Sequence, residues 1–315
     1  MEQKLKVFNQ INDVRDCTGS VVTIGSFDGL HRGHQDIIKT LTTIAAAKGS
    51  RAAVITFEPH PRHILDKKNK LSLLMSLDKK EALLEELGVD VLLVVPFTEE
   101  FSRITAEAFM DDVIMKHFHP AEIVIGYDHH FGHKRKGTPE FLQVYAKKRG
   151  IKLDTINPVA DDKIVLSSTH IRELIANGFV RRASFELGWV YGFRAKVVHG
   201  SGRGKGLDFP TANVVPLDDD QLMPKPGVYL TRGRLNGDFI AGMCNFGTRP
   251  TFNETELVME INFFISNMDD IYNREIYIEF LERIRDEKKF DNPDQLVAQL
   301  RQDKKYCLEL KKKYE

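Results

Sequence analysis

The stretch that decides the fold of the first half spans residues 21–34 and reads Val21-Val22-Thr23-Ile24-Gly25-Ser26-Phe27-Asp28-Gly29-Leu30-His31-Arg32-Gly33-His34. Its first four residues are all β-branched, which predicts a buried strand. Beyond it, apolar residues recur with helical spacing from Ile37 to Ala45. A strand that runs through a glycine-containing turn into a helix gathers backbone N–H groups at the positive end of the helix dipole. The stretch therefore predicts an anion site.

Two histidines, His31 and His34, lie three residues apart at the start of this helix, where both would face the same anion. Imidazoles donate hydrogen bonds to phosphate oxygens as charge develops on a departing pyrophosphate, which stabilises the transition state without covalent catalysis. A bare H-x-x-H pair is as often two surface histidines in a loop. The strand, the glycines and the helix together favour the phosphate site.

The alternation of strand and helix continues to about residue 150. Strands are predicted at Ala52–Phe57, Val91–Val95 and Ile123–Ile125, with helices at 78–87, 109–117 and 141–149. This order predicts a Rossmann-like α/β domain around a parallel sheet. Ligands of such sheets bind at the carboxyl ends of the strands, so the residues that follow each strand are the candidate site residues.

Three segments contribute further candidates. Asp128 follows the strand at 123–125, and Ser167-Ser168-Thr169-His170-Ile171-Arg172 offers hydroxyls and an arginine at a helix start, which suits the outer phosphates of a triphosphate. Alone, Ser-Ser-Thr is more often only an N-cap. The segment 56–62, with Pro59 and Pro61, fits a binding loop and a purely structural turn equally well. His129, His130 and His133 lack acidic or cysteine partners nearby, so metal ligation is not favoured there.

The character of the sequence changes near Leu187. Short apolar runs separated by turn residues, among them Asn236-Gly237, predict a small antiparallel barrel or sandwich, and a final helix is expected from about Pro293. The predicted domains are residues 1–187 and 188–315. In the second, Thr211 and Asn213 follow a glycine-rich run and face one side of an extended segment, where their oxygens could bind Mg²⁺. The glycines alone favour an ordinary hairpin.

Composition excludes several classes of function. The 315 residues carry 45 basic and 45 acidic side chains, and the two predicted domains carry net charges of +1 and −1, so a broad nucleic-acid-binding field is not expected. With 42% hydrophobic and 29% charged residues, the chain is typical of globular proteins. No apolar run is long enough for a membrane span, no secretory signal is visible, and the three distant cysteines predict no disulfide framework. We expect a cytoplasmic protein.

These motifs resemble a known family. H-x-G-H and S-S-T-x-I-R are signatures of the nucleotidyltransferase superfamily, and Ser26-Phe27-Asp28-Gly29, Phe57-Glu58-Pro59-His60-Pro61 and Gly126-x-Asp128-x-x-Phe131-Gly132 resemble bacterial bifunctional riboflavin kinase/FAD synthetases. Pro210-Thr211-Ala212-Asn213 and Asn245-x-Gly247-Thr248-Arg249-Pro250-Thr251-Phe252 resemble the flavokinase half of the same family. The resemblance spans nearly the whole chain. It implies an FMN adenylyltransferase domain followed by a riboflavin kinase barrel.

The resemblance also implies roles for individual residues. His31, His34 and Arg172 would be catalytic in adenylyl transfer, and Glu260 would be the base of the kinase. The implied ATP-binding residues are Gly25, Phe27, Asp28, Gly33, Ser167 and Thr169 in the first site and His199 and Gly200 in the second. Asp128, Phe57 and Pro59 would bind flavin, while Thr211 and Asn213 would bind Mg²⁺. The expected ligands are ATP, riboflavin, FMN and FAD, with no nucleic acid or membrane partner, and the expected state is a monomer or weak homo-oligomer.

Two departures from the family pattern keep alternatives open. Asp208 stands where the family has a glycine near the phosphates, and in residues 266–273 two family glycines are replaced by Asp269 and Asn273. A carboxylate close to a phosphate weakens ATP binding unless Lys205 or Mg²⁺ compensates. The alternatives are an FAD synthetase with a weak or inactive kinase half, a nucleotidyltransferase for another phosphorylated substrate, and a flavin-binding regulator without catalysis.

Overall fold

The computed structural model describes residues 4–157, 160–161, 164–199, 209–235, 238–249, 254–265 and 271–314. Internal contacts divide the chain into two compact units, the first made of Met1–Leu73 with Leu77–Ser168, and the second of Leu74–Ser76 with Thr169–Glu315. Contacts thus group residues 169–187 with the second half. The boundary at residue 187 stays a prediction of where the two activities divide.

The first unit is built on a six-stranded parallel sheet, which confirms the predicted α/β class. Its strands are β1 (Lys6–Phe8), β2 (Val21–Ile24), β3 (Ala52–Glu58), β4 (Val91–Pro96), β5 (Glu122–Gly126) and β6 (Lys152–Ile156). They lie in the order β1-β4-β3-β2-β5-β6, with every pairing parallel. From β2 the chain adds β3 and β4 on one side of that strand, and it later adds β5 and β6 on the other side. The crevice between the carboxyl ends of β2 and β5 is therefore the switch point at which such sheets bind ligands.

Helices cover this sheet and end where sequence signals place them. They are α1 (Arg32–Lys48), α2 (Pro61–Leu65), α3 (Leu77–Glu86), α4 (Ala106–Phe109), a π-helix (Met110–Met115), α5 (Lys116–Phe118) and α6 (Pro139–Arg149). Gly49 and Gly150 end α1 and α6 in the left-handed conformation that glycine adopts without strain. The core beneath them joins apolar strand residues such as Ile55 and Leu93 to Phe109 and Ile114. A short antiparallel pair, β7 (Ala160–Asp161) and β8 (Ile164–Val165), follows.

The second unit is a closed antiparallel barrel, so of the two predicted forms the barrel is the one that occurs. Its strands are β9 (Gly192–Val198), β10 (Ala212–Pro216), β11 (Gly227–Leu235), β12 (Asp238–Arg249), β13 (Glu254–Phe263) and β14 (Glu275–Arg285), closed in the order β10-β13-β12-β11-β14-β9. Three helices accompany it: α7 (Ser168–Ala176), which the contact division splits after its first residue, α8 (Val180–Leu187) and α9 (Pro293–Lys311). The predicted turn at Asn236-Gly237 lies outside the described residues.

Strand residues of the barrel alternate between its interior and its outer face. Ala212, Val214, Met259 and Ile261 belong to the interior core, so Asn213 and Glu260 between them face outward. A second apolar cluster, with Met243 and Leu230, packs outside the barrel against Leu310 and Cys307 of α9. Among the described residues, no helix is both long and apolar enough to cross a membrane.

Candidate active sites

The two predicted histidines lie together at the amino end of α1. His31 is the N-cap residue, and its Nδ1 accepts a hydrogen bond from the His34 backbone N–H at 3.4 Å. The two imidazole rings stack, with their centroids 3.7 Å apart and their planes 17° apart. Because Nδ1 of His31 is an acceptor, its ring proton is assigned to Nε2, which is the nitrogen left to donate to a ligand.

Burial keeps both imidazoles neutral. It lowers the pKa of His31 to about 4 and the pKa of His34 well below its usual range, with a further lowering at His34 from the charges of His31 and Lys80. His34 Nδ1 is buried and has no hydrogen-bond partner among the described residues. A bound phosphate would supply the missing partner, and its negative charge would favour protonation of the rings.

The loop between β2 and α1 is held in a strained conformation. Phe27 and Leu30 have positive φ angles of 47° and 36°, although both are bulky and buried. Strain of this kind costs about 1–3 kcal/mol per residue and persists only where the surroundings over-determine the backbone. A Cβ on Gly25 would lie 3.0 Å from the Phe27 ring, and that ring meets the His34 imidazole edge to face at 5.3 Å. Gly25 and Phe27 thus set the position of the His34 ring.

Asp28 and Ser168, the first residue of α7, meet in the first unit. Asp28 is buried, and its carbonyl accepts a hydrogen bond of 2.8 Å from Ser168 Oγ. Gly33 is the second residue of α1. Ser167 comes directly before α7, while Thr169 and Arg172 lie on that helix in the second unit, with Arg172 at the start of its second turn. Their roles toward ATP stay predictions.

The predicted flavin residues follow neighbouring strands of the sheet. Asp128 is exposed and comes two residues after β5, and a Cβ on Gly126 would lie 3.5 Å from its Oδ1. Phe57, in β3, belongs to the core, where it is 8% exposed and packs against Phe97 and Phe101, and its role toward flavin stays a prediction. The proline after it, Pro59, is exposed and follows a cis peptide bond.

His129 lies at the border of this aromatic cluster. Its ring is tilted against Phe131 with centroids 5.4 Å apart, and its Nε2 is buried without a partner among the described residues. Burial, with smaller effects of His130 and Arg135, lowers its pKa to about 4. The three neighbouring histidines form no metal-binding group, since none of three or more His, Cys, Asp or Glu occurs in the described part of the chain.

Sequence reasoning missed Lys80 of α3. Its side chain is 6% exposed, and Nζ donates to the Ser26 carbonyl at 2.8 Å and to Thr56 Oγ1 at 3.3 Å. The signal was present, because Lys80 stands three and four residues before Leu83 and Leu84 and so falls on the apolar face of its helix. A lysine on a buried face must have partners.

In the second unit, strand register builds a polar row on the outer face of the barrel. Glu260 of β13 lies directly opposite Asn213 of β10 and Asn245 of β12. Opposed side chains in antiparallel strands lie within about 5.5 Å of each other at Cβ, so the three groups are neighbours. Burial, with the Glu260 charge as a smaller effect, raises the pKa of the Cys244 thiol. The sequence motif that contains Asn245 gives this residue no role of its own. Its position opposite Glu260 depends on strand pairing, which is a property of the tertiary structure.

The oxygens of this row fit a hard cation. Asn213 Oδ1 is buried and has no hydrogen-bond partner among the described residues. Thr211, just before β10, is half-buried, and its carbonyl accepts a hydrogen bond from Tyr272. Tyr272 also stacks on His199, with ring centroids 4.0 Å apart. Gly200, Lys205, Asp208 and the loop 266–270 lie outside the described residues.

An open cavity of about 370 Å³ lies beside α9. It is lined by Phe209, Arg301, Lys304, Lys305, Leu308, Glu309 and Lys312. Four of these side chains are basic and one is a carboxylate.

Comparison with known proteins matches both halves. Residues 13–170 match the FAD synthetase family model, and residues 187–311 match the riboflavin kinase model. Curated relatives include the bifunctional riboflavin kinase/FMN adenylyltransferases of Listeria monocytogenes, 36% identical over 90% of each chain, and of Bacillus subtilis, 37% identical over 92% of each chain. A solved structure described as a macrolide-efflux protein from Streptococcus pneumoniae is 34% identical, with a TM-score of 0.85 over 96% of this chain and 97% of that one.

Proposed function

The chain belongs to the family of bifunctional riboflavin kinases/FMN adenylyltransferases, and on that premise we propose how its two sites make FAD. The second half transfers the γ-phosphoryl group of ATP to the ribityl hydroxyl of riboflavin, which gives FMN and ADP. The first half transfers the adenylyl group of ATP to the phosphate of FMN, which gives FAD and pyrophosphate. Each half therefore uses its own molecule of ATP.

In adenylyl transfer, an oxygen of the FMN phosphate attacks the α-phosphorus of ATP as the bond to pyrophosphate breaks. Negative charge grows on the pyrophosphate, and the amino end of α1 with His31 and His34 supplies N–H donors and positive potential to receive it. Arg172, Ser167 and Thr169 hold the outer phosphates, and Gly25, Phe27, Asp28 and Gly33 shape the pocket. Asp128, Phe57 and Pro59 form the flavin side. Mg²⁺, when bound, neutralises part of the triphosphate charge.

In the kinase, Glu260 accepts the proton of the riboflavin hydroxyl as that oxygen attacks the γ-phosphorus. Asn213 and Thr211 would hold Mg²⁺, which would neutralise charge on the transferred phosphoryl group, and His199 and Gly200 would contact ATP. The observation that supports this arrangement is the strand register, which sets the Asn213 side chain directly opposite Glu260. The base and the metal ligand thus share one face of the barrel.

The observation that carries the adenylyltransferase is the stacked His31–His34 pair at the amino end of α1, beside the switch point of the sheet. The test incubates the purified chain with FMN, ATP and Mg²⁺ and measures FAD and pyrophosphate. We expect His31→Ala and His34→Ala each to slow FAD formation about 100-fold. His119→Asn is the matched control, because this histidine is exposed and lies before the amino end of β5. Wild-type rates in both alanine variants would show that the site is misassigned.

The kinase is tested by incubating riboflavin with ATP and separating riboflavin, FMN and FAD. We expect Glu260→Gln to abolish FMN formation, whereas Glu275→Gln, at an exposed barrel carboxylate, leaves it unchanged. Absence of FMN from oxidised and reduced riboflavin alike would leave an FAD synthetase with an inactive second half. Binding of phosphopantetheine or nicotinamide mononucleotide in preference to FMN would instead indicate another nucleotidyltransferase.

Metal dependence tests the role of Asn213. Asn213→Ala removes an oxygen ligand, so we expect the Mg²⁺ concentration for half-maximal kinase rate to rise about tenfold or more. FAD formation from FMN by the same variant should keep its Mg²⁺ dependence. An unchanged kinase requirement for Mg²⁺ would remove Asn213 from the metal site.

A further inference from the structure

Lys80 forms a buried polar triangle beneath the loop that follows β2. Its ammonium donates to the Ser26 carbonyl at 2.8 Å and to Thr56 Oγ1 at 3.3 Å, and the Thr56 hydroxyl donates to the same carbonyl at 3.2 Å. Thr56 itself is fully buried in β3. One carbonyl of the loop is thus tied to α3 and to a central strand of the sheet.

This contact orients the backbone of the loop. The carbonyl and the N–H of one trans peptide point in opposite directions. With the Ser26 carbonyl held on the Lys80 side, the N–H of Phe27 points to the other side. Phe27 itself has the strained φ of 47°, and a strained segment needs contacts of this kind to keep it in place.

Lys80 also brings a positive charge close to the histidine pair. Burial lowers the pKa of Lys80, while the carboxylates of Asp28, Glu58 and Glu81 act against that lowering. The charge of Lys80 is in turn one of the causes that lower the pKa of His34. The ammonium therefore acts electrostatically on the residues that face the phosphates.

Burial of an ion is costly unless specific partners compensate it. Burial and specific charge partners beside a binding site are typical of functional groups.

We propose that Lys80 is a positioning residue of the adenylyltransferase site, which fixes the Ser26–Phe27 peptide for phosphate binding and adds a buried cation behind it. The inference rests on the adenylyl transfer proposed above. It assigns to α3 a part in the reaction, although no residue of α3 belongs to the quoted motifs.

The test compares Lys80→Met, Lys80→Arg and the neighbouring Lys79→Met in the full-length chain. We expect Lys80→Met to lower kcat for FAD formation about 10- to 100-fold, with less than a threefold change in KM for FMN and in the kinase rate. Lys80→Arg, which keeps the charge and the donors, should have a kcat at least threefold above that of Lys80→Met, and Lys79→Met should match wild type.

Two results would overturn the proposal. One is a kcat for Lys80→Met within threefold of wild type. The other is a loss of kcat that is as large in Lys80→Arg as in Lys80→Met and that parallels a lower unfolding temperature of both variants. If Lys80→Met does not fold, Thr56→Val is tested in its place, because it removes the hydrogen bonds of the Thr56 hydroxyl and keeps the Lys80 charge. We expect Thr56→Val to lower kcat threefold or more. An unchanged kcat contradicts the proposal. Absence of FAD formation by the wild-type chain would refute the proposed function itself.

Discussion

At the scale of single residues, burial decides the chemistry of the first site. His31 is 6% exposed, and burial lowers its pKa to about 4. The sequence pattern predicted this histidine next to an anion, but it did not reveal that both imidazoles are buried, neutral and stacked. The negative charge of a bound phosphate would favour protonation of these rings.

This lowered pKa predicts how stability depends on pH. In the unfolded chain His31 binds a proton near pH 6.5, whereas in the folded chain it binds one only near pH 4, so stability falls as pH drops from 7 toward 4. Because of His31, we expect the free energy of unfolding of the first unit to be about 2 kcal/mol lower at pH 5 than at pH 7. His31→Asn keeps an N-cap residue and removes the titration, so its stability should depend less on pH.

The measurement is urea unfolding at both pH values, followed by circular dichroism. Fluorescence of Trp189, the single tryptophan, reports the second unit separately. His119→Asn controls for loss of an exposed imidazole. Identical pH dependence in wild type and His31→Asn would show that His31 is not buried in its neutral form.

At the scale of helices and strands, the turn between α7 and α8 depends on a glycine. Gly178 has a φ of 85°, and its N–H donates to the Ile175 carbonyl at 2.9 Å, while Phe179 N–H donates to Leu174 at 2.8 Å. A Cβ on Gly178 would lie 2.6 Å from Cδ of Arg283 in β14. The pair of helices α7 and α8, which carries Thr169 and Arg172, is thus packed closely onto the barrel.

We expect Gly178→Ala to destabilise the second unit by about 2 kcal/mol or more, because it adds strain at positive φ and displaces the Arg283 side chain. Gly150→Ala is the matched control, since Gly150 has a φ of 69° and nothing within 4 Å of its added Cβ. Urea unfolding measures the loss, followed by Trp189 fluorescence for Gly178→Ala in the second unit and by circular dichroism for Gly150→Ala in the first unit. In an Arg283→Ala background, the loss of unfolding free energy caused by Gly178→Ala should approach the loss caused by Gly150→Ala. An undiminished loss would exclude the contact between the added Cβ and the Arg283 side chain as its cause.

At the scale of the whole molecule, two folds carry two reactions. The parallel sheet holds its candidate residues at the carboxyl ends of strands, whereas the barrel holds Asn213, Glu260 and Asn245 on its outer face. Near-zero net charge is compatible with anionic substrates, because helix ends, backbone N–H groups and buried cations act locally.

Separate sites predict complementation between inactive chains. His34→Ala should convert riboflavin to FMN only, and Glu260→Gln should fail with riboflavin but adenylylate FMN. A mixture of the two should therefore form FAD from riboflavin, because FMN released by one chain can be used by the other. Chromatography of the three flavins measures the outcome. A mixture that makes FMN but no FAD would mean that FMN does not pass between chains.

The sequence by itself determined the α/β class of the first half, the antiparallel β class of the second half and, through its motifs, the family. Local signals suffice for the two classes, since β-branched runs, helical spacing, caps and turn glycines act over a few neighbouring residues. Several strands were not predicted. β1 has only three residues and β6 mixes polar and apolar residues, whereas β14 alternates apolar with polar residues at its start and so carries a strand signal that was missed.

Tertiary structure alone decided which of these residues act together. The opposition of Asn213 to Glu260 follows from the register of strands about 47 residues apart in sequence, and the burial of Lys80 beneath Ser26 follows from the packing of α3 against the sheet. Contacts between distant segments depend on how whole elements pack, which no local pattern encodes. The sequence therefore identified the chemistry of each half, and the fold determined which side chains are close enough to perform it.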